Sequence, residues 1–567
     1  MKTLAFAGAL TCSLLAATAL TPVQAADMTH ERALNVSKEP HNWLLHHGNY
    51  EGWRFSQLKQ INTENVKNLR VAFTVALGGY ESGGRYKHGN LQATPIVEDG
   101  MMYVTDGWGS VYAIDVASGK KGLIKWKFDP GTDRAWAGDV ACCGVNNRGV
   151  ALWKDKIISI SLDGRLFSLN KATGEMVWER KVADPAIAET LTLAPLVVRD
   201  LAIVGSAGGE FGVRGHLDAF DAQTGERQWR CYTVPKPGEP GSETWPDDGE
   251  AWQRGGANCW ITPSYDPELE LLFQGTGNPA PDFDGGVREG DNLYTDSTVA
   301  IDVNTGEIRW HYQFTPHDLW DYDSTMENVL FDAPDGRKLL AHADKNGYFF
   351  VLDRTNGELV RVFPFVDRIT WGDISPDGKV TPKVYPDEEG VPVHFWPGPA
   401  GGKEWTHMAY SPNTGLIYVP VQEVGATATR RRREFKESIP YWGAGVAVDL
   451  DDHYGFVAAI DPLTGEEKWR WRNEYPMCAS TLTTAGGLVF QGTPTGEFVA
   501  LDEQTGEKLW SFQCGSGHHS SPMSYSIDGR QYIAVPTGWG GWIEGFLPGL
   551  LGAAAGDALF VFALPEN

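Results

Sequence analysis

The sequence is short of cysteine, with seven in 567 residues, two of them adjacent in "ACCGVNNRG", from Ala141 to Gly149. They fall into no paired Cys/His spacing, which excludes a zinc-finger type of structural site. No C-x-x-C-H occurs, which excludes a covalently attached c-type haem on this chain. Basic residues are also scarce, 48 Lys and Arg against 73 Asp and Glu. That excess of acid argues against nucleic acid or an anionic membrane surface as partner; it fits a basic protein partner or plain solubility equally well. Beyond the N-terminus no apolar run is long enough to cross a bilayer. No amphipathic helical pattern recurs either, so any organisation must come from strands.

"MKTLAFAGALTCSLLAATALTPVQA" carries Lys2, an apolar core and small residues ending at Ala25. It reads as a secretory leader, residues 1–25, because the core is too short for a membrane anchor. The formal charge of −25 includes Lys2, so residues 26–567 carry one more negative charge. Cys12 leaves with the leader. The rest is expected in the periplasm, where an oxidising milieu disfavours free thiols.

Tryptophan is abundant, 22 residues, and it is periodic. A pattern of apolar, Asp or Asn, two residues, Thr/Ser/Asn-Gly and then usually Trp recurs as "AIDVASGKKGLIKW", "SLNKATGEMVW", "AFDAQTGERQW", "AIDVNTGEIRW", "VLDRTNGELVR", "AIDPLTGEEKW" and "ALDEQTGEKLW". Its glycines are Gly119, Gly174, Gly225, Gly306, Gly357, Gly465 and Gly506. The 108-residue step from Gly357 to Gly465 is about two ordinary steps and contains "AYSPNTGLIYVPV", a degenerate eighth hairpin. Each unit predicts a strand, a turn in which Gly takes positive φ, and a second strand bearing the Trp. Units of this size predict an all-β, eight-bladed β-propeller with tryptophan-docking repeats over residues 26–567, the Trp wedged between blades. A solenoid competes but lacks capping signals, whereas the terminal "ALFVFAL" can pair with N-terminal strands and close a ring.

A propeller is a scaffold, so chemistry has to come from residues that break the repeat. The widest step between neighbouring units, Gly225 to Gly306, carries extra loops, and "TPHDLWDYDS" follows with Asp318, Asp321 and Asp323 beside Trp320. Glu210 in "GGEFGVRG" and the amide oxygen of Asn278 are hard donors suited to calcium. Turn capping and loop solvation are the alternative for each of these groups. "DFDGG" begins like an EF-hand loop but lacks its later acidic ligands.

Taken with the repeat, these motifs resemble the pyrroloquinoline quinone (PQQ)-dependent alcohol dehydrogenases, the methanol and ethanol dehydrogenase quinoproteins, from "HNWLLHHGNYEGWRFSQLKQIN" to "ALFVFALPE". The resemblance implies that Cys142 and Cys143 form a disulfide ring packing on one face of the quinone, with Trp260 covering the other. Consecutive Cα atoms stand about 3.8 Å apart, below the usual disulfide range, so such a ring must bend the local backbone. It further implies Glu210, Asn278 and Asp321 as Ca2+ ligands and Asp321 as catalytic base. Arg148, Thr192, Gly208 and Gly209 match groups around the cofactor's carboxylates and carbonyls, and Lys345 a cation near its reactive oxygens. Calcium rather than a lanthanide is expected because the position two before Asp321, read as the place of an extra carboxylate for a trivalent ion, is Leu319. Gln92, Glu404 and Cys478 stand where Glu, Asn and Trp are usual, which argues against methanol as main substrate. The implied activity is oxidation of an alcohol, with electrons passed to a separate, soluble cytochrome c. A sugar or aldehyde dehydrogenase using the same cofactor, or a propeller that only binds, are the alternatives. The run Arg430 to Arg433 is expected to be a solvated loop.

Overall fold

Each repeat closes through its own side chains. In "AFDAQTG" the Asp221 carboxylate accepts the backbone N–H of Gln223 (2.9 Å) and Thr224 (2.7 Å), and Gly225 takes φ +72°. Asp302 and Asp502 make the same pair of bonds in their turns. The turn is therefore encoded locally, by an Asx cap followed by a residue that tolerates left-handed backbone.

The computed structural model describes residues 27–79, 89–247, 249–541, 543 and 556–566, and the expected leader lies outside them. Among the described residues the strands form eight sheets of four or five strands and one two-stranded ribbon, Gly372–Ile374 with Val380–Pro382. A representative sheet runs Leu196–Val198, Leu201–Gly205, His216–Asp221 and Arg227–Tyr232, each strand antiparallel to the next. "AYSPNTGLIYVPV" forms a hairpin as expected, with Ala409 opposite Tyr418. The terminal strand Ala558–Ala563 lies between Arg530–Thr537 and the N-terminal strand Arg70–Ala76, so one sheet joins the two ends of the chain.

The repeated tryptophans each contact the following unit. The rings of Trp126, Trp178, Trp229, Trp310 and Trp469 lie against Gly174, Gly225, Gly306, Gly357 and Gly506, where an added Cβ would come within 2.5 to 2.8 Å of the indole. Glycine is thus required twice, for the turn and for the neighbouring ring. The indole N–H of Trp229 donates to Val303 O (3.0 Å) and that of Trp469 to Glu503 O (3.0 Å). Where the fifth motif lacks Trp, Phe363 lies against Gly465. No helix among the described residues is long and apolar enough to cross a membrane.

Two strands exceed the repeat: Leu416–Arg430 and Ala444–Ile460 pair as one long hairpin. Its far end crosses to the site described next, where the Tyr441 N–H donates to Glu210 O (2.6 Å). At that end Arg430 is bonded to Asp284, while Arg431, Arg432 and Arg433 are exposed.

Candidate active site

The adjacent cysteines follow a short helix, Arg134–Val140, whose N-terminus is capped by Asp133. Cys142 and Cys143 are joined in a disulfide across a Cα–Cα distance of 3.8 Å, and Cys143 takes φ +68°. The left-handed turn that the neighbouring bond demands is thus seen in the backbone. Cys142 packs with Val140, Ala188 and Phe211; Cys143 packs with Cys478, Trp539 and Ile543. The other described cysteines, Cys231, Cys259, Cys478 and Cys514, are free thiols.

The disulfide forms one wall of an open cleft holding about 1090 Å³ of non-protein space, its mouth included. Of the residues expected from the sequence, Cys142, Cys143, Arg148, Thr192, Gly208, Glu210, Trp260, Asp321 and Lys345 all line it. Gly209 and Asn278 stand just behind. The Asn278 N–H donates to Asp323 Oδ1 (3.2 Å), and a Cβ on Gly209 would lie 3.9 Å from Asn278 Oδ1. Gly208, at φ +115°, could carry no side chain, since its Cβ would meet Ala188 O at 2.5 Å. That close approach lets the turn Gly209–Phe211 present Glu210 to the cleft.

Asp321 is aimed by Asp318. The Asp318 carboxylate accepts the N–H of Trp320 (3.0 Å) and of Tyr322 (3.0 Å), folding "DLWDY" into a tight loop. Trp320 is buried against Tyr322 and Trp371, and Leu319 enters the same apolar cluster. Asp321 alone turns outward, at φ +64°, a conformation that Asp and Asn tolerate better than most residues. Leu319 therefore faces the core, and its identity carries no information about an ion in the cleft. The carboxylate that does enter the cleft is Asp323, two residues after Asp321.

Electrostatically the described lining is lopsided: five carboxylates, Glu210, Asp282, Asp321, Asp323 and Glu404, face two cations, Arg148 and Lys345. Burial, with Asp323 adding repulsion, pushes the Glu210 carboxyl up to about 7. Burial and the charges of Asp321, Glu210 and Asp323 hold Asp282 well above the usual range. Asp321 is raised by burial too, against the opposing pull of Lys345. Lys345 Nζ donates to Asp323 Oδ2 (3.1 Å) and stands 3.8 Å from Asp321 Oδ1. Burial works against its charge, but Asp321, Asp323 and Glu404 outweigh it and raise its pKa. A cluster of this sign and burial is suited to a hard cation.

Arg148 shows the opposite imbalance. It is buried, donates to Thr192 Oγ1 (2.8 Å), and lies over the rings of Trp260 (5.0 Å) and Trp405 (4.6 Å). Its Nε has no hydrogen-bond partner among the described residues, and burial lowers its pKa to about 9. Such a guanidinium suits an anionic group lying flat beside Trp260. The apolar side of the cleft is supplied by Phe283, Trp442, Val446 and Val448.

The departures occupy distinct places. Glu404 lines the cleft, its Oε2 accepting the Trp405 N–H (2.7 Å). Gln92 stands behind Asn146, donating to its Oδ1 (3.1 Å), and Cys478 stands behind the disulfide. Asp282, Asn146 and Trp405 are lining residues to which sequence reasoning gave no role, and Asp323 was singled out only as one of the acidic residues of "TPHDLWDYDS". Asp323 is brought to the cleft by its bonds to Lys345 Nζ and the Asn278 N–H, which its spacing from Asp321 does not reveal.

A family model described as PQQ, glucose/ethanol/alcohol dehydrogenase, beta-propeller domain, matches residues 43–382 and 472–533. The chain is 38% identical to quinoprotein alcohol dehydrogenase PedH of Pseudomonas putida, over 98% of this chain and 96% of that one. It is 39% identical to a quinohemoprotein alcohol dehydrogenase of Comamonas testosteroni, over 93% of this chain and 76% of the relative. Among solved structures it is similar to a europium-containing methanol dehydrogenase, with TM-score 0.87 and 35% identity, covering 94% of this chain and all of that one. With its disulfide-walled cleft, carboxylate cluster and repeated sheets, the chain belongs to the PQQ-dependent alcohol dehydrogenases, β-propeller proteins whose cofactors are PQQ and a metal ion.

Proposed function

We propose that the protein is an exported, periplasmic dehydrogenase that oxidises an alcohol to an aldehyde or ketone and hands electrons to a separate cytochrome c. Residues 1–25 act as leader, and residues 26–567 form eight blades docked by the tryptophan rows. The observation that carries the reading is Asp321, turned into the cleft beside Lys345 and among four further carboxylates.

When bound, PQQ would supply the hydride acceptor and the ion would supply Lewis-acid chemistry. The Cys142–Cys143 ring and Trp260, which both line the cleft, would hold the quinone. Arg148, with Thr192, Gly208 and Gly209, receives its carboxylates and carbonyls, and Lys345 attends its reactive oxygens. Asp321 removes the hydroxyl proton of the alcohol. Phe283, Trp442, Val446 and Val448 receive the alkyl part and keep water from the reacting carbon.

Glu210, Asn278 and Asp321 hold the ion in this reading. The sequence pointed to calcium through Leu319, but Leu319 faces the core and Asp323 faces the cleft. A third carboxylate beside Glu210 and Asp321 favours a trivalent lanthanide. The Lys345 ammonium on Asp323 is the observation that favours calcium, because it offsets that charge.

The test is reconstitution of metal-free protein with PQQ and either lanthanum or calcium, followed by dye-linked assay of alcohols, sugars and aldehydes. Turnover of alcohols with lanthanum, and little with calcium, is expected. Activity with calcium alone would overturn the trivalent reading. Activity on sugars but not alcohols would overturn the substrate class, and none with either ion would favour a binding propeller.

A further inference from the structure

Three histidines converge outside the cleft. His46 and His47 come from the N-terminal segment and His407 from a stretch 361 residues after His46. Their ring centroids lie 4.5 to 5.2 Å apart, and one nitrogen from each lies within 4.8 Å of the others. All three are buried, with His407 fully enclosed. The His46 and His407 Nε2 atoms are 3.1 Å apart. Two nitrogens bound to one ion at about 2.0 Å each stand at about that separation.

The hydrogen bonds indicate ligands more than packing. His407 Nδ1 faces Glu327 Oε2 at 3.3 Å, so the carboxylate holds the ring proton on Nδ1 and turns the Nε2 lone pair towards His46 Nε2. Glu327 is itself fixed by Lys403 Nζ (2.9 Å) and the Met408 N–H (2.6 Å). On the other two rings, His46 Nδ1 and His47 Nε2 have no hydrogen-bond partner among the described residues. Buried polar atoms without partners are uncommon, and the bare His47 Nε2 beside the other two rings calls for a bound group.

The surroundings select the charge. No carboxylate is among the candidate ligands, and Glu327 is already paired with Lys403. The Arg54 guanidinium lies beside the cluster, donating to His46 O (3.2 Å). A divalent ion would bring two positive charges into this cationic setting with no anionic ligand to offset them. We infer that His46, His47 and His407 form a second metal site, distinct from the cleft, that takes copper(I) as a three-imidazole complex. The ion enters as the N-terminal segment folds onto the stretch around His407, since the finished site is enclosed.

The experiment uses the full chain, carrying PQQ and its cleft metal, purified from copper-supplemented cells. Metal content is measured after exchange into EDTA, and copper X-ray absorption reports ligands and oxidation state. About one copper per chain is expected, as copper(I) with three imidazole nitrogens. In His46→Gln/His47→Gln, copper should fall at least about tenfold while PQQ content stays the same. Zinc in place of copper, copper(II), sulfur ligands, or copper far below one per chain would each overturn the proposal. Copper retained in a folded double variant would overturn it as well. If the variant does not fold, the wild-type stoichiometry and absorption spectrum decide by themselves.

Discussion

Asp321→Asn separates the proposed base from the fold. Asn is the appropriate replacement, because Asp321 sits at φ +64° and Asn accepts left-handed backbone, whereas Ala would add conformational strain. Two electrostatic effects then oppose each other. The Lys345 ammonium lies 3.8 Å away, an attraction of about 4 kcal/mol at an effective dielectric constant of about 20. Removing the charge also relieves repulsion with Glu210 and Asp323, and the burial that raises the Asp321 pKa. Burial and repulsion outweigh the Lys345 attraction, since the Asp321 pKa is raised well above its usual value, so the variant should be no less stable than wild type. Turnover should fall far more, by about 10²- to 10⁴-fold, because the amide cannot take the alcohol proton. The assay is dye reduction at saturating PQQ and metal, with quinone content read by absorbance and stability by urea unfolding. Turnover within about threefold of wild type, with full cofactor content, would refute the assignment of the base. A large loss of stability would refute the balance of charges instead.

Cys142→Ala/Cys143→Ala should lower cofactor retention or turnover while leaving the unfolding midpoint nearly unchanged, because the ring closes no loop of chain. A large drop in midpoint with unchanged turnover would assign the disulfide to the fold. Trp229→Ala should destabilise by about 3–5 kcal/mol, because it empties a buried site against Gly306 and removes the bond to Val303 O; a urea titration unchanged from wild type would exclude docking through this ring. In metal-free protein Glu210 titrates near 7, above its unfolded range near 4.5. Its folded form binds the proton more tightly, so its contribution to stability is complete below about pH 4.5 and is lost as pH rises towards 7. Melting temperatures of metal-free protein should fall across that interval, and metal-loaded protein should not follow the same trend.

The repeat was legible because its signals are local. Asp221 caps its own turn, Gly225 has to take positive φ, and Trp229 sits at a fixed offset, so the hairpin can be read without a partner strand. The hairpin in "AYSPNTGLIYVPV" and the pairing of "ALFVFAL" with the N-terminal strand Arg70–Ala76 followed from the same signals. The long extension of Leu416–Arg430 and Ala444–Ile460 was not read. Its residues show no repeat, and only its far end, where Tyr441 meets Glu210, explains why it is long. The histidine triad was equally hidden, since two members are adjacent in sequence and the third lies 361 residues from His46.

For the cleft, residue types at matched positions located most of the lining but not the direction each side chain takes. Leu319 and Asp323 flank Asp321 at equal distance in sequence, and a count of positions cannot tell which one shares its face. A strand would put both on the same side, because its period is two. The loop around Asp318 is no strand: its two capping bonds reverse the chain, sending Leu319 and Trp320 inward and Asp321 outward. Asp323 returns to the cleft because Lys345 and the Asn278 N–H take its two oxygens. The charge available to an ion therefore depends on a turn formed by Asp318, a residue that never reaches the cleft.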